Sequence, residues 1–326
     1  MNIGSTFYDI APENPTTSQL SNWLKGDPTI RFKALLTWII NKHHFPANNI
    51  HQFGEGSGFV FRFATNYVLK LTPPNWKEEF LRETAALNIL ANEDLPVAVP
   101  KLLAEGEVNG WGYMITNRLE GENLLGRWHR LSSDDRNRIT RQSAEFACAL
   151  QKIDVPEHKA LTLDWEHFLR KQRQNCYAIR EGQGLKSSLL NSMEGYLDSI
   201  DYLTKDTRLR LTHADLHAGN FLCRHTEEGW QLCGIIDFGD ALYSPDKLFE
   251  VNTALLFSGI TNASTNALFL RSYGIDIPKN KQVLQDHLMA LSILRHSGSL
   301  NYLFDYLPET KHIDNWSELA RVWYAL

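Results

Sequence analysis

Two polar clusters carry the chemistry that this 326-residue sequence offers. The first runs His213-Ala214-Asp215-Leu216-His217-Ala218-Gly219-Asn220, and the second is Asp237-Phe238-Gly239-Asp240. Short apolar runs bracket them: Leu209–Leu211, Phe221–Cys223 and Gln231–Ile236. Runs this short, bounded by glycines and charged residues, predict strands. The polar clusters then fall at strand ends, where fixed side chains can converge on a ligand. The chemistry that suits them is phosphoryl transfer. That reaction needs a carboxylate beside the acceptor hydroxyl and metal ions that neutralise phosphates. Asp215 can accept the hydroxyl proton. Asn220 and Asp237 can supply oxygens to Mg²⁺, a hard cation that takes oxygen ligands. Taken singly, each of these residues is as readily a cap or turn residue; it is their order and spacing together that favour catalysis.

A Gly-rich stretch lies upstream, Phe53-Gly54-Glu55-Gly56-Ser57-Gly58-Phe59-Val60, inside a strand region over 49–71. Such a turn lets backbone N–H groups approach phosphates closely, so Gly56 and Ser57 are candidate nucleotide contacts. Alone, a Gly-rich hairpin is more often only a hairpin. The next strand, Tyr67-Val68-Leu69-Lys70-Leu71, carries one cation in an apolar run.

The His-x-Asp-x-x-x-x-Asn cluster followed by Asp-Phe-Gly resembles the catalytic core of aminoglycoside phosphotransferases and their small-molecule kinase relatives. The resemblance implies an α+β, two-lobed, protein-kinase-like fold. Its N-lobe would be a small antiparallel sheet with one helix, and its C-lobe mainly helical. It also implies ATP and Mg²⁺, with Asp215 as catalytic base, Asn220 and Asp237 as metal ligands, and His213 bracing the catalytic loop. Lys70 would be the lysine that grips the α- and β-phosphates. Glu83 is the carboxylate expected to hold it, with Glu78 and Glu79 as competitors on the same helix. The segment Tyr113–Gly121 resembles the link between lobes, so Asn117 C=O and Leu119 N–H would bond the nucleotide base. Wording from Val68 to Tyr273 is similar to hygromycin B phosphotransferases of the 7″-hydroxyl type. Phe59 stands where a protein kinase carries the third glycine of its loop, and Ala214 where it carries an arginine. Beyond Asp237 there is no long peptide-binding segment, so no protein substrate is expected.

The elements that position these residues follow from periodicity. Helices are predicted from Thr17 or Ser18 to Lys25, from Pro28 to about His44, and from Trp76 to Ala91. Leu95–Leu103 leads to a hairpin turning at Asn109-Gly110. After Gly121 the chain is expected to turn helical: Ser132 or Ser133 to Ile153, Leu163–Arg180 and Leu185–Leu203. Asp246 to Ser258, Thr265–Tyr273, Lys279–Ser297 and Trp316–Tyr324 complete the set. The division expected is residues 1–48 as an N-terminal helical extension, 49–117 as the N-lobe and 118–326 as the C-lobe. Residues 1–16 read as a loosely attached arm.

Composition narrows the partners. The chain is 43% apolar with a formal net charge of −5, a globular profile without the basic footprint of nucleic-acid binding. No run of 18 apolar residues occurs, so no membrane span is expected. No leader pattern opens the chain, and the four cysteines form no Cys-x-x-Cys pair, which together suit a cytoplasmic protein. No Gly-x-x-x-x-Gly-Lys loop, His-Glu-x-x-His or Gly-x-Ser-x-Gly is present. The acceptor expected is a small, polyhydroxylated, cationic molecule of the aminoglycoside kind, with Asp240, Asp246 and Glu250 as candidate ammonium holders. Other acceptors (choline or an amino alcohol, homoserine, a macrolide) suit the same core. A nucleotide-binding regulator without transferase activity is the reading from a different class.

Overall fold

The computed structural model describes residues 7–53, 58–258, 262–295 and 298–326. Two lobes make up the molecule. The N-lobe is a five-stranded antiparallel sheet of β1 (His51–Gln52), β2 (Phe59–Phe63), β3 (Tyr67–Thr72), β4 (Leu102–Val108) and β5 (Trp111–Asn117), in spatial order β1-β2-β3-β5-β4. Side chains alternate across a strand, and here the alternation sorts them into two cores. Phe59, Phe61 and Phe63 of β2 and Leu69 and Leu71 of β3 face one side, with Tyr113 and Ile115 of β5. Lys70 lies between Leu69 and Leu71 and so faces the other side, paired with Met114 across the β3–β5 ladder.

Each face of the sheet is covered by a helix. Before β1 come α1 (Thr17–Lys25) and α2 (Pro28–Lys42). Phe32, Leu35, Leu36, Ile39 and Ile40 of α2 recur at helical spacing and complete the first core. On the opposite face lies α3 (Lys77–Leu90), whose Phe80 ring occupies the space that a Cβ at Gly112 would need. Residues 7–12 are not the loose arm that their polarity suggests. Phe7 and Ala11 are buried, Trp111 donates its indole N–H to Pro12 C=O at 2.8 Å, and Arg31 donates to the carbonyls of Asp9 and Ile10. A buried indole needs an acceptor, and this segment supplies it. The cap of α1 is Thr16, not Thr17 or Ser18, in a capping box with Gln19.

The C-lobe is mainly helical: α4 (Ser133–Leu150), α5 (Trp165–Gly182), α6 (Ser187–Ser199), α7 (Lys247–Ser258), α8 (Ala263–Tyr273), α9 (Lys281–Leu294), α10 (Leu300–Tyr306) and α11 (Trp316–Trp323). Two small antiparallel sheets sit among them. One joins β6 (Glu122–Asn123), β8 (Phe221–Thr226) and β9 (Gly229–Ile235); the other pairs β7 (Arg210–Thr212) with β10 (Leu242–Ser244). The chain after Gly121 therefore first forms a strand on β8 rather than turning helical at once. Strands β6 and β10 and helix α10 have no counterpart in the sequence-based expectation. Among the described residues, no helix is long and apolar enough to cross a membrane.

Candidate active site

The loop between β7 and β8 is built around a strained residue. Ala214 has φ of 60°, a left-handed conformation that an L-residue other than glycine adopts at a cost of roughly 1–2 kcal/mol. Helix α7 holds it there from both sides of the peptide. Glu250 accepts the Ala214 N–H at 2.9 Å, and Thr253 Oγ1 donates to the Ala214 C=O at 3.2 Å. His213 braces the same loop from beneath. It is fully buried, its Nδ1 accepts from Asp215 N–H at 3.2 Å, and its Nε2 lies 3.1 Å from the Ile236 carbonyl. One nitrogen must accept and the other donate, so the ring is neutral with its proton on Nε2. Burial pushes its pKa down, which fits that state.

The turn places Asp215 among donors. Its Oδ1 accepts from Arg295 Nη2 at 3.0 Å, and its Oδ2 accepts from Asn220 Nδ2 at 2.9 Å. His217 Nε2 stands 3.3 Å from Oδ2, while its Nδ1 accepts the Gly219 N–H, so the Nε2 proton points at the carboxylate. Burial would raise the Asp215 pKa. The His217 hydrogen bond and the Arg295 charge outweigh it and hold the group well below the usual carboxylate range. About a quarter of the side chain (27%) still faces solvent, which leaves a path for a hydroxyl.

Asn220 gives its amide hydrogens to the carbonyl and carboxylate of Asp215, both at 2.9 Å. Both partners are acceptors, so the amide oxygen is turned away from Asp215. The Ile236 N–H donates to Asn220 C=O at 3.0 Å, which sets Asp237 beside it on the neighbouring strand end. Asp237 also takes positive φ, 68°. Its Oδ1 receives Lys70 Nζ at 2.9 Å, and nearly half of its side chain (46%) is exposed. The donor set is therefore one carboxylate and one amide oxygen on adjacent strand ends. Both are hard oxygens, and two protein ligands leave room for phosphates and water, the usual arrangement for Mg²⁺. The residues fit the metal.

Lys70 Nζ also bonds Glu83 Oε2 at 2.6 Å, so of the three glutamates considered on α3 it is Glu83 that meets the lysine. Burial opposes the Lys70 charge, but Asp237 and Glu83 more than offset it and the ammonium is retained. Asp237 is held ionised chiefly by the Lys70 charge. Gly58 lies against this lysine: a Cβ there would sit 4.0 Å from Lys70 Cε. The flanks of the hairpin pair through Phe53 N–H and Val60 C=O, while Gly56 and Ser57 fall outside the described residues. Asn117 ends β5, where its side chain accepts the Lys101 N–H at 2.6 Å. The Leu119 side chain packs toward Gly234, at 3.1 Å from a Cβ built there. Both thus lie where the chain passes from one lobe to the other.

The acids expected to hold ammonium groups are otherwise engaged. Glu250 carries the Ala214 N–H. Asp246 is buried, accepts the Leu248 N–H at the start of α7 and faces His287 Nε2 at 3.1 Å. Asp240 is bonded to Arg295 at 2.8 Å. Two residues of the site lie outside the sequence-based expectation. Arg295 stands alone just past the end of α9, in no motif. His217 lies inside the first polar cluster with no role assigned to it from the sequence. Rings continue outward from it: His217 to Phe257 at 5.4 Å, Phe257 to Tyr302 at 6.0 Å, and Tyr302 stacked on Tyr306 at 6.4 Å.

A sheet-bearing lobe whose lysine reaches the Asp-Phe-Gly aspartate of a helical lobe defines a kinase-like protein. The chain belongs to the phosphotransferase enzyme family (APH), whose profile matches residues 49–281. It is similar in structure to the streptomycin–ATP–APH(2″)-IIa ternary complex, with TM-score 0.63 and 18% identity over 88% of this chain and 98% of the other. The aminoglycoside phosphotransferase APH(2″)-Ib with ADP matches at TM-score 0.61 and 19% identity, over 89% and 98% of the two chains. APH(3″)-Id from Streptomyces rimosus matches at TM-score 0.56 and 19% identity, over 81% and 98%. At such identities the likeness is one of fold.

Proposed function

We propose that the protein transfers the γ-phosphate of ATP to a hydroxyl of a small cytoplasmic acceptor, an aminoglycoside of the hygromycin B kind. The observation that carries the reading is the convergence of Lys70, Asp215, Asn220 and Asp237 from both lobes. A nucleotide-binding regulator would not need that set intact. Solved structures similar to this one contain ATP, ADP or GDP, and several contain an aminoglycoside.

In this reading Asp215 accepts a hydrogen bond from the acceptor hydroxyl and holds its oxygen in line with the γ-phosphorus. The new O–P bond forms as the bond to the β,γ-bridging oxygen breaks, and Asp215 takes the hydroxyl proton late in that step. Lys70 would set its ammonium against the α- and β-phosphates, and Asp237, which it bonds at 2.9 Å, would be shared between that lysine and the metal. Asn220 and Asp237 would hold Mg²⁺, which neutralises developing phosphate charge. Backbone groups at Asn117 and Leu119 would meet the base, and Gly56 and Ser57 are the phosphate contacts expected from the sequence. His213, buried with both nitrogens occupied, positions the loop. Phe257, Tyr302 and Tyr306 continue the row of rings that starts at His217, and aromatic rings suit the C–H face of a sugar; Tyr302 and Tyr306 are each about half exposed.

The test is release of nucleoside diphosphate from ATP and from GTP, measured against hygromycin B, other aminoglycosides, macrolides, choline and homoserine. Turnover with an aminoglycoside is expected, and the Asp215→Asn protein should lose kcat by about 10²–10⁴-fold, the usual contribution of a general base. Turnover only with another acceptor class would replace the substrate and keep the chemistry. A kcat that survives Asp215→Asn would remove Asp215 from the base role.

A further inference from the structure

Arg295 belongs to none of the motifs that identify this fold, yet it touches the carboxylate at the centre of the site. Its Nη2 bonds both Asp215 Oδ1, at 3.0 Å, and Asp240 Oδ2, at 2.8 Å. Its Nη1 donates to Thr253 Oγ1, whose own proton goes to the Ala214 carbonyl. One guanidinium therefore grips the Asp215 side chain and, through Thr253, the strained peptide just before it. Only 12% of the Arg295 side chain is exposed.

The arginine is itself held from behind. Arg180 of α5 is buried, and its guanidinium donates to the carbonyls of Ser292, Ile293, Arg295 and Gly298. The bond to the Arg295 carbonyl is 2.6 Å. These carbonyls include the last ones of α9, the negative end of the helix dipole, where a cation is favoured. A second arginine thus fixes the backbone from which the first extends.

We infer that Arg295 is a positioning residue for the catalytic base, holding the Asp215 carboxylate toward the acceptor hydroxyl, and that Arg180 fixes Arg295 for that task. The inference rests on the reading of Asp215 as the base. The guanidinium suits the role because its planar fork presents several donors in fixed directions; a lysine ammonium is a compact point charge on a flexible stem. Without the cation, Asp215 and Asp240 would face each other as two anions, and the carboxylate would swing away from the hydroxyl. A small displacement of a reacting group costs about 10²-fold in rate.

The experiment compares Arg295→Met and Arg295→Lys, each alone and combined with Asp215→Asn. Turnover of Mg-ATP is followed with hygromycin B and with water as acceptors, and ATP affinity is measured separately. Arg295→Met should lower kcat by about 10²-fold with ATP affinity unchanged, and Arg295→Lys should recover part of the loss. In the Asp215→Asn background Arg295→Met should add nothing, because residues acting as a unit do not multiply. If Arg295→Met fails to fold, Asp240→Asn frees the same guanidinium from its other side and should lower kcat by a smaller factor. Wild-type kcat in Arg295→Lys and Asp240→Asn, or an equal loss from Arg295→Met with and without Asp215, would overturn the inference while leaving the base in place. Wild-type kcat in Asp215→Asn would instead remove the base reading, and this inference with it.

Discussion

Two cations stand on either side of the loop Asp237–Asp240, each clamped between two carboxylates. Lys70 lies between Glu83 and Asp237, and Arg295 between Asp215 and Asp240. One loop thus contributes an anion to each clamp. The difference lies in what the clamps join. Lys70 and Glu83 belong to the N-lobe and Asp237 to the C-lobe, so that clamp joins one lobe to the other. Arg295, Asp215 and Asp240 all belong to the C-lobe, and Arg180 and Thr253 anchor them there. We read the first clamp as a joint that opens for nucleotide and metal, and the second as a fixture that keeps the base in place. An exchangeable site needs labile partners, whereas a base needs preorganisation.

The largest expected effect comes from breaking the joint at its shared carboxylate. Asp237→Ala removes the proposed metal ligand and one of the two anions on Lys70. Turnover should fall almost to background at any Mg²⁺ concentration. An activity that returned to wild type when Mg²⁺ was raised would mean that Asp237 aids metal binding without being needed in the transition state.

A smaller effect separates the two clamps. Glu83→Gln loosens Lys70 from behind and should raise the KM for ATP and lower kcat together, with a combined loss of about 10–10²-fold if positioning is what is lost. Asp240→Asn loosens Arg295 and should lower kcat with little change in ATP affinity. The measurement is a full steady-state matrix over ATP and acceptor. Identical patterns for the two variants would erase the distinction between joint and fixture.

The two clamps also differ in how well the sequence announces them. Lys70 sits in an alternating strand after a Gly-rich hairpin, and the apolar face of α3 together with the family resemblance favours Glu83 over Glu78 and Glu79 as its partner. Asp215, Asn220 and Asp237 are legible because one loop and one hairpin fix their spacing. Arg295 has no such frame. It reaches Asp215 only through the packing of α9 on α7, a tertiary fact that no local rule encodes. The same holds for Glu250, which the sequence offers as a candidate ammonium holder and which in fact accepts the Ala214 N–H. Helix α10 escapes a sequence reading because Leu300–Tyr306 is short and follows Gly298-Ser299, which reads as a turn. Residues 7–12 look unattached in the sequence because their anchor, the Trp111 indole, lies far along the chain.

The smallest expected effect lies one layer behind the fixture, at Glu250. This carboxyl is buried, one oxygen accepts the Ala214 N–H, and the other has no hydrogen-bond partner within the described residues. Burial pushes its pKa up to about 7, against an ordinary value of 4.5; the Ala214 and His213 N–H groups and the Arg295 charge oppose the rise without cancelling it. A raised acid makes the folded state the better proton binder. Between pH about 5 and 7 the folded chain keeps the Glu250 proton and the unfolded chain has lost it. The unfolded state then binds fewer protons, so stability contributed by this group falls as pH rises through that window. A tenfold change in proton affinity corresponds to about 1.4 kcal/mol, so the loss from this residue should be on the order of 3 kcal/mol. Glu250→Gln keeps an oxygen for the Ala214 N–H and cannot ionise. The variant should be no more stable than wild type at pH 5, and the difference should shift in its favour by pH 8. Denaturant unfolding of both proteins across that range measures it. The two curves are subtracted so that titrations common to both cancel, such as that of Glu79, which burial also pushes up to about 7. A difference that stays constant with pH would mean that Glu250 is ionised throughout and that the Ala214 turn is held by a buried anion.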